Sequence, residues 1–479
     1  MPLLDAIRKT IAQSKARFHT PGHKVRPKDC IHEAVLGLLG DRPFAADLTE
    51  LPGLDNLSAP TEVLRQTERL CARIFGAKES IILTCGASSG VVAAILAACH
   101  PGSIILVPRE CHRSVLSGVV LSGAEPVFYP SQVVHFHDLP AGVPVADLCE
   151  LIRSIRPTAL LLSNPNYFGV CRDLRKAVAL ARELGIVTIA DEAHGAHLPF
   201  VRPEASAISW GADIVIHGAH KTLSVLTQGA IVHFSGDLNM ASRFRDSLRL
   251  VHTTSPSYII LASIEGMAAH LQSRGGEKLR RLAALAVELK SRLQTDERIR
   301  IFPTGVELEP DSWVDPFKIT LAWVGIDARS AERELITAYG VYPELVCGND
   351  MLFLLGEGDG QETLQLLENS IREVASRYKA RGATGKPLIW TRFLQEPWPE
   401  RLMNPREAFF KKREWVSIQH ATGRVCAEPV LLYPPGIPLI WPGEAFTAEL
   451  CSFLSEAAEA GWSMIGLDES RCVEVCTEG

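Results

Sequence analysis

Short apolar runs punctuate the first half of the chain: Ser80–Thr84, Ile104–Val107, Pro126–Tyr129, Thr158–Leu162, Gly185–Ala190, Ala212–Ile216 and Gln228–Phe234. Longer segments with apolar residues at helical spacing lie between them, among them 61–76, which stops at Gly76, and Val91–Cys99. Runs without polar alternation read as strands buried on both faces. Alternating with helices, they predict an α/β fold built on a mostly parallel, right-handed sheet with helices on both faces. Ahead of this region, Leu3, Leu4, Ile7 and Ile11 predict a short amphipathic helix. Behind it, a long helical pattern runs from about 259 to 298, followed by alternating strands and two amphipathic helices over 300–378. Arg381–Pro387 reads as a linker, and the prolines of Tyr433–Glu444 exclude a regular helix there. The expected division is an N-terminal segment 1–70, a large domain 71–258, a smaller α/β domain 259–380 and a C-terminal domain 388–479.

Composition narrows the class of protein. A chain of 479 residues, 47% hydrophobic, has enough apolar surface for several compact units. Its net charge of −6 and lack of basic runs give no reason to expect a nucleic acid partner. No apolar run reaches the length of a membrane span, and the N-terminus lacks the apolar core of a signal peptide. The 12 cysteines are scattered without a CxxC pair, which argues against a zinc ribbon or a disulfide framework and fits a reducing cytoplasm.

Two of the apolar runs end in chemistry. Gly185–Ala190 leads into Asp191, and Ala212–Ile216 into His217-Gly-Ala-His220-Lys221. In open α/β sheets ligands bind beyond the strand C-termini. A lysine there can form a Schiff base with an aldehyde cofactor, and a carboxylate can keep a pyridine nitrogen protonated. The plainer reading makes Asp191 a strand-end cap and Lys221 a solvated loop residue. Ser80–Thr84 runs through Cys85-Gly-Ala-Ser-Ser-Gly90 into a helix, an arrangement that cradles phosphate on backbone N–H groups. No GK[ST] follows, so it is not a P-loop. His112 follows another strand end and is placed to stack on an aromatic ring, and His252–Tyr258 offers hydroxyls. Phe18–Lys24 is a Pro-Gly turn crowded with His19, His23 and Lys24 that could fold over a site, and Asp47, Glu50 and Asp55 surround a second turn. A zinc hydrolase on His194-x-x-His197, His217 and His220 is a rival reading, although the HExxH pattern is missing.

Taken together, HTPGHK at 19–24, DLTELPGLDNL at 47–57, the cradle at 85–90, ECHRS at 110–114, DEAHGAH at 191–197, HGAHKTL at 217–223, TSPSY at 254–258 and GRVCAEPVLLYPPGIPLIWPGE at 423–444 resemble the major family of ornithine, lysine and arginine decarboxylases. The resemblance implies the aspartate aminotransferase-like fold (fold type I) with pyridoxal 5'-phosphate as cofactor. It implies loss of carbon dioxide from a basic amino acid, in polyamine-type metabolism. Lys221 matches the Schiff-base lysine and His220 the histidine before it. Asp191 matches the acid on the pyridine nitrogen, Ala193 lies under the ring, and His112 stacks on it. Ala87, Ser88 and Ser89 match the phosphate cradle, with Thr254 and Ser255 near the phosphate; His194 and His217 join the cofactor set. Asp47, Glu50, Asp55, Glu428 and Glu444 are candidates to meet the substrate's distal cation. Two departures stand out: Gly218 replaces the family's usual serine, and Ala87 replaces a hydroxyl residue, so two phosphate ligands are missing unless His217 and Ser89 compensate. The chain resembles the short form without an N-terminal wing domain, in homodimers or dimers of dimers with shared active sites. Transamination or elimination on the same cofactor, or an inactive relative, are the alternatives.

Overall fold

The computed structural model describes residues 1–134, 137–236, 238–303, 308–378 and 389–477; the linker-like Arg381–Pro387 lies outside the described residues. Two compact units each draw on two stretches of chain, 1–97 with 191–279 and 98–190 with 280–479. We retain the four consecutive segments expected from sequence as a proposal.

In the first unit the N-terminal pattern forms the expected helix, Pro2–Gln13, with Leu3 and Ile7 buried. Its first-turn N–H groups, which have no partner inside the helix, are met by a buried acid: Leu3 and Leu4 donate to Glu265 at 3.0 and 2.9 Å. Thr67 donates to the same carboxylate at 3.1 Å. Glu265 lies on the helix Tyr258–His270 and Thr67 on the helix Val63–Phe75, so one side chain joins three helices. Val63–Phe75 stops at Gly76, as expected, because Gly76 takes φ +73° in the left-handed region. The strand Glu79–Leu83 pairs with Ala230–Phe234, which pairs with Ile214–His217, both antiparallel. Both pairings involve Ala230–Phe234, an antiparallel strand in the expected mostly parallel arrangement. The connection 218–229 holds only the one-turn helix Ala219–Thr222, so the chain returns beside the strand it has just left rather than crossing over.

In the second unit the strand Ile104–Pro108 lies between Glu125–Tyr129 and Ala159–Ser163 and runs parallel to both. The helices Arg113–Ser122 and Val145–Ile155 fill the connections, the βα pattern read from sequence. The region after 300 forms a four-stranded antiparallel sheet, in the order Ile299–Ile301, Lys318–Trp323, Asp350–Leu354, Leu345–Cys347, with the two expected amphipathic helices at Ala328–Tyr339 and Gln361–Arg377. The proline-rich stretch yields the short strands Val430–Leu432 and Ile437–Ile440 and no helix. One apolar cluster contains Phe168, Phe302, Leu352, Trp390, Phe446 and Phe453, so the C-terminal segment shares a core with the rest of this unit.

A buried ion pair fastens that segment. Arg109, fully buried just past the strand Ile104–Pro108, meets Glu444 through two bonds of 2.5 and 2.8 Å. Its guanidinium also donates to the Leu439 carbonyl at 3.2 Å and lies 4.6 Å from the centroid of the Phe128 ring. The Trp441 N–H donates to Glu444 at 2.8 Å. Planar two-point pairing is the strongest form of this contact. Glu444→Ala would leave Arg109 unpaired in a dry interior. The expected loss is about 3–5 kcal/mol of unfolding free energy by urea titration; a loss below about 1 kcal/mol would show the pair to be dispensable.

Candidate active site

Asp191 closes the strand Val187–Asp191. Its Oδ1 accepts from the Ala193 N–H at 3.1 Å, and Oδ2 makes no hydrogen bond among the described residues. The next residue, Glu192, is fully buried. Its carboxylate accepts from the Ser206 hydroxyl at 3.0 Å, the Ala207 N–H at 2.6 Å and His217 Nε2 at 3.0 Å. His217 therefore points into the core, its ring centroid 5.5 Å from that of Phe75 and 4.8 Å from that of His233. This corrects the expectation that His217 belongs to the cofactor set: as the last residue of a wholly buried strand, it spends its donor on an internal carboxylate.

Beyond His217 the backbone approaches the Asp191 loop closely. Gly218 donates its N–H to the Ala193 carbonyl at 3.2 Å. A Cβ on Gly218 would lie 2.7 Å from that oxygen, and 3.2 and 3.3 Å from Cδ and Cε of Lys221. The lysine stem lies across the glycine, and its Nζ is 2.9 Å from His194 Nε2. His220 Nδ1 donates to the Gly229 carbonyl at 3.0 Å. Burial, and then the charge of Lys221, hold the His220 imidazole below its usual pKa, against that bond. In the neutral ring Nε2 is the accepting nitrogen. Among the described residues no three of the histidines, cysteines and acids are placed to hold a metal ion, which leaves the zinc reading without a site.

The expected cradle lies in the same unit. Gly86 opens the helix Gly86–Ala98 at φ +78°, with nothing within 4 Å of where a Cβ would be. Ser88 is exposed and its hydroxyl makes no hydrogen bond among the described residues, whereas Ala87 is buried. Ser89 donates to the Gly86 carbonyl at 2.8 Å, so its hydroxyl serves the helix and does not replace a missing phosphate ligand. His252 Nε2 accepts from the Thr84 N–H at 3.2 Å, and Nδ1 donates to the Thr253 carbonyl at 3.1 Å. The same histidine is the main cause of a lowered pKa at the Cys85 thiol. Thr254 and Ser255 follow as exposed hydroxyls. A primary amine, a carboxylate oxygen with no partner among the described residues and a helix N-terminus that begins at the open Gly86 together fit an aldehyde, a pyridine nitrogen and a phosphate.

His112 lies in the second unit. It caps the helix Arg113–Ser122, with Nδ1 accepting from the Ser114 N–H at 3.2 Å, so in the neutral ring the proton is on Nε2. The ring edge packs near Gly436, where a Cβ would lie 3.6 Å from Cδ2; Gly436 itself is at φ +86°.

The candidate substrate acids divide into two groups. Glu444 is held by Arg109, which corrects its assignment. Asp55 is corrected as well. Burial alone would raise its pKa, but N–H groups of Thr61, Asn56, Glu62 and Leu64 outweigh this and hold it below the usual range. It caps the start of the helix Val63–Phe75. Asp47, Glu50 and Glu428 each keep one oxygen without a bond among the described residues. Their other oxygens meet His23 at 3.1 Å, the Leu57 N–H at 3.2 Å and Arg413 at 3.4 Å. His23 accepts from the Val25 N–H on Nδ1, so Nε2 donates to Asp47 and the HTPGHK turn is tied to the first candidate acid. Sequence reading missed Arg109 and Glu192. Each is a charged residue next to an apolar run, and that adjacency was the available signal.

The fold has solved counterparts. The crystal structure of the Francisella novicida lysine decarboxylase LdcF matches it with a TM-score of 0.85 at 19% identity, covering 99% of this chain and 81% of that one. The architecture is that of the aminotransferase-like, pyridoxal phosphate-dependent enzymes, fold type I. Residues 1–362 match the Orn/Lys/Arg decarboxylase major domain and residues 389–470 its C-terminal domain, and the chain belongs to that family. Among relatives, an arginine decarboxylase of Bacillus subtilis is 30% identical over 98% of this chain and 96% of its own length. The uncharacterized protein YaaO of the same species is 32% identical over 95% and 93%. The protein is a carboxy-lyase, and its cofactor is pyridoxal 5'-phosphate.

The Gly218 geometry has a direct consequence. Gly218→Ser would not supply a phosphate ligand, because its Cβ would collide with the Ala193 carbonyl. The expected outcome is a loss of about 1–3 kcal/mol in stability and less pyridoxal phosphate retained after gel filtration. Tighter cofactor retention with an unchanged melting temperature would contradict the packing.

Proposed function

We propose that the protein holds pyridoxal phosphate on Lys221 and decarboxylates a basic L-amino acid, with arginine favoured over lysine and ornithine. The observation that supports this most is the placement of Lys221: its stem crosses Gly218, which is hydrogen-bonded to the loop that begins at Asp191. Arginine is favoured by the name of the Bacillus subtilis relative, which matches over nearly its full length.

The cofactor, when bound, supplies an electron-withdrawing ring that stabilises the carbanion left when carbon dioxide departs. In our reading the Asp191 carboxylate keeps a proton on the ring nitrogen, as an opposite charge does. The Gly86–Ala98 helix N-terminus, Ser88 and the backbone of Ala87 and Ser89 hold the phosphate, with Thr254 and Ser255 nearby. Ala193 flanks the ring. A general acid, Lys221 or His220, then supplies the proton to Cα. Asp47 and Glu50, in the same unit as Lys221, are acids we propose to meet the distal cation. A guanidinium would select whichever offers two oxygens in plane.

Self-association is part of the proposal. Phe18, Leu38 and Leu250 are 97%, 84% and 78% exposed, and the helix Glu33–Leu39 buries none of its residues. We assign these apolar residues to contacts within a homodimer, or a dimer of dimers with shared active sites. The twelve free cysteines favour a reducing cytoplasm, and no described helix is long and apolar enough to cross a membrane. Polyamine-type metabolism would use the product amine.

Lys221→Ala should lower carbon dioxide release about 10³-fold or more while leaving the far-ultraviolet circular dichroism unchanged. Asp191→Asn should cut kcat severely with a small change in KM. Substantial turnover by Lys221→Ala, or keto-acid formation without carbon dioxide from the wild type, would overturn the reading. Parallel amine detection with arginine, lysine and ornithine assigns the substrate, and light scattering that finds only monomer would remove the dimer.

A further inference from the structure

The 2.9 Å contact between Lys221 Nζ and His194 Nε2 joins the proposed reacting amine to an imidazole. His194 is 8% exposed. A lysine ammonium has only donors, so His194 Nε2 is the acceptor and its ring proton lies on Nδ1. Two cations in hydrogen-bond contact repel strongly in a buried setting, so the pair shares one proton rather than holding two. Other ionisable groups of the same two strand-end segments are differently occupied. His220 spends Nδ1 on Gly229, and Glu192 is bound by Ser206, Ala207 and His217. Asp191 receives the Ala193 N–H.

We infer that His194 is a catalytic residue for joining the cofactor to the chain. Its Nε2 takes one proton from the Lys221 ammonium and frees the nitrogen lone pair. The nitrogen attacks the cofactor's aldehyde carbon; a C–N bond forms and the C=O π bond opens. A second proton passes from nitrogen to the former carbonyl oxygen. His194 then returns its proton to that hydroxyl, which leaves as water while the C=N bond closes. One ammonium and one aldehyde become one protonated imine and one water, and His194 ends as it began. When the substrate's α-amine displaces Lys221, the same nitrogen serves again.

The inference rests on the proposed seat of pyridoxal phosphate on Lys221, and the test separates the two. The full-length protein, stripped of cofactor, is mixed with pyridoxal phosphate alone. Covalent capture is followed by growth of the visible absorption band and by borohydride fixation read as a mass increase on the peptide containing Lys221. His194→Gln keeps a polar group at the position but cannot carry the proton; it should capture the cofactor at least tenfold more slowly, with initial non-covalent binding changed less. His194→Ala should be equally slow and should regain rate in proportion to added imidazole free base, a response that a purely structural defect would not give. Wild-type capture at Lys221 with His194→Gln equally fast, or with His194→Ala indifferent to imidazole, overturns the role of His194 alone. A wild type that fixes no cofactor on Lys221 overturns the underlying assignment and this inference with it.

Discussion

The active site depends on a backbone approach that only glycine permits. Gly218 lies against the Ala193 carbonyl so closely that a methyl group would be 2.7 Å from the oxygen. At that distance the end of one strand and the end of another become a single piece, with Asp191 on one side and Lys221 on the other. Behind it, the Glu192 carboxylate takes donors from His217, Ser206 and Ala207. Each donor removed leaves part of a buried carboxylate's hydrogen-bonding capacity unmet, so the arrangement resists partial loosening.

Charge inside this protein does two kinds of work. Glu265, Glu192 and Glu444 are buried acids that fasten helices, strand ends and the C-terminal segment by collecting donors. Asp191 and Lys221 differ in what surrounds them. Among the described residues the acid keeps one oxygen without a hydrogen bond, and the amine lies within hydrogen-bond distance of an imidazole. The distinction between scaffold and reagent therefore lies in how fully each group is paired, and residue type does not decide it.

The cradle shows how a departure from a family's habits is absorbed. The resemblance implies hydroxyls at the positions of Ala87 and Gly218, and neither His217 nor the Ser89 side chain is free to replace them, since both are bonded internally. What remains for an anion is the start of a thirteen-residue helix, the exposed Ser88 hydroxyl and the hydroxyls of Thr254 and Ser255. Helix N-terminal N–H groups bind phosphate whatever side chains adorn them, so the loss is one of degree.

The sequence by itself determined most of the elements and pointed to the pair we propose as reacting. Buried strands announce themselves as uninterrupted apolar runs, and a charged residue that ends such a run is forced to the edge; this is why Asp191 and Lys221 could be read before any coordinates. Gly76 and the prolines of 433–444 were legible for the same reason, since their backbone chemistry is local. Tertiary structure alone decided partnership. That His217 faces Glu192, that Glu444 meets Arg109 335 residues away, and that Asp55 caps a helix instead of waiting for a substrate are facts about distance in space. The antiparallel turn-back at Ala230–Phe234 belongs with them, because pairing direction follows from how a connection folds, and an apolar run reads the same in either direction.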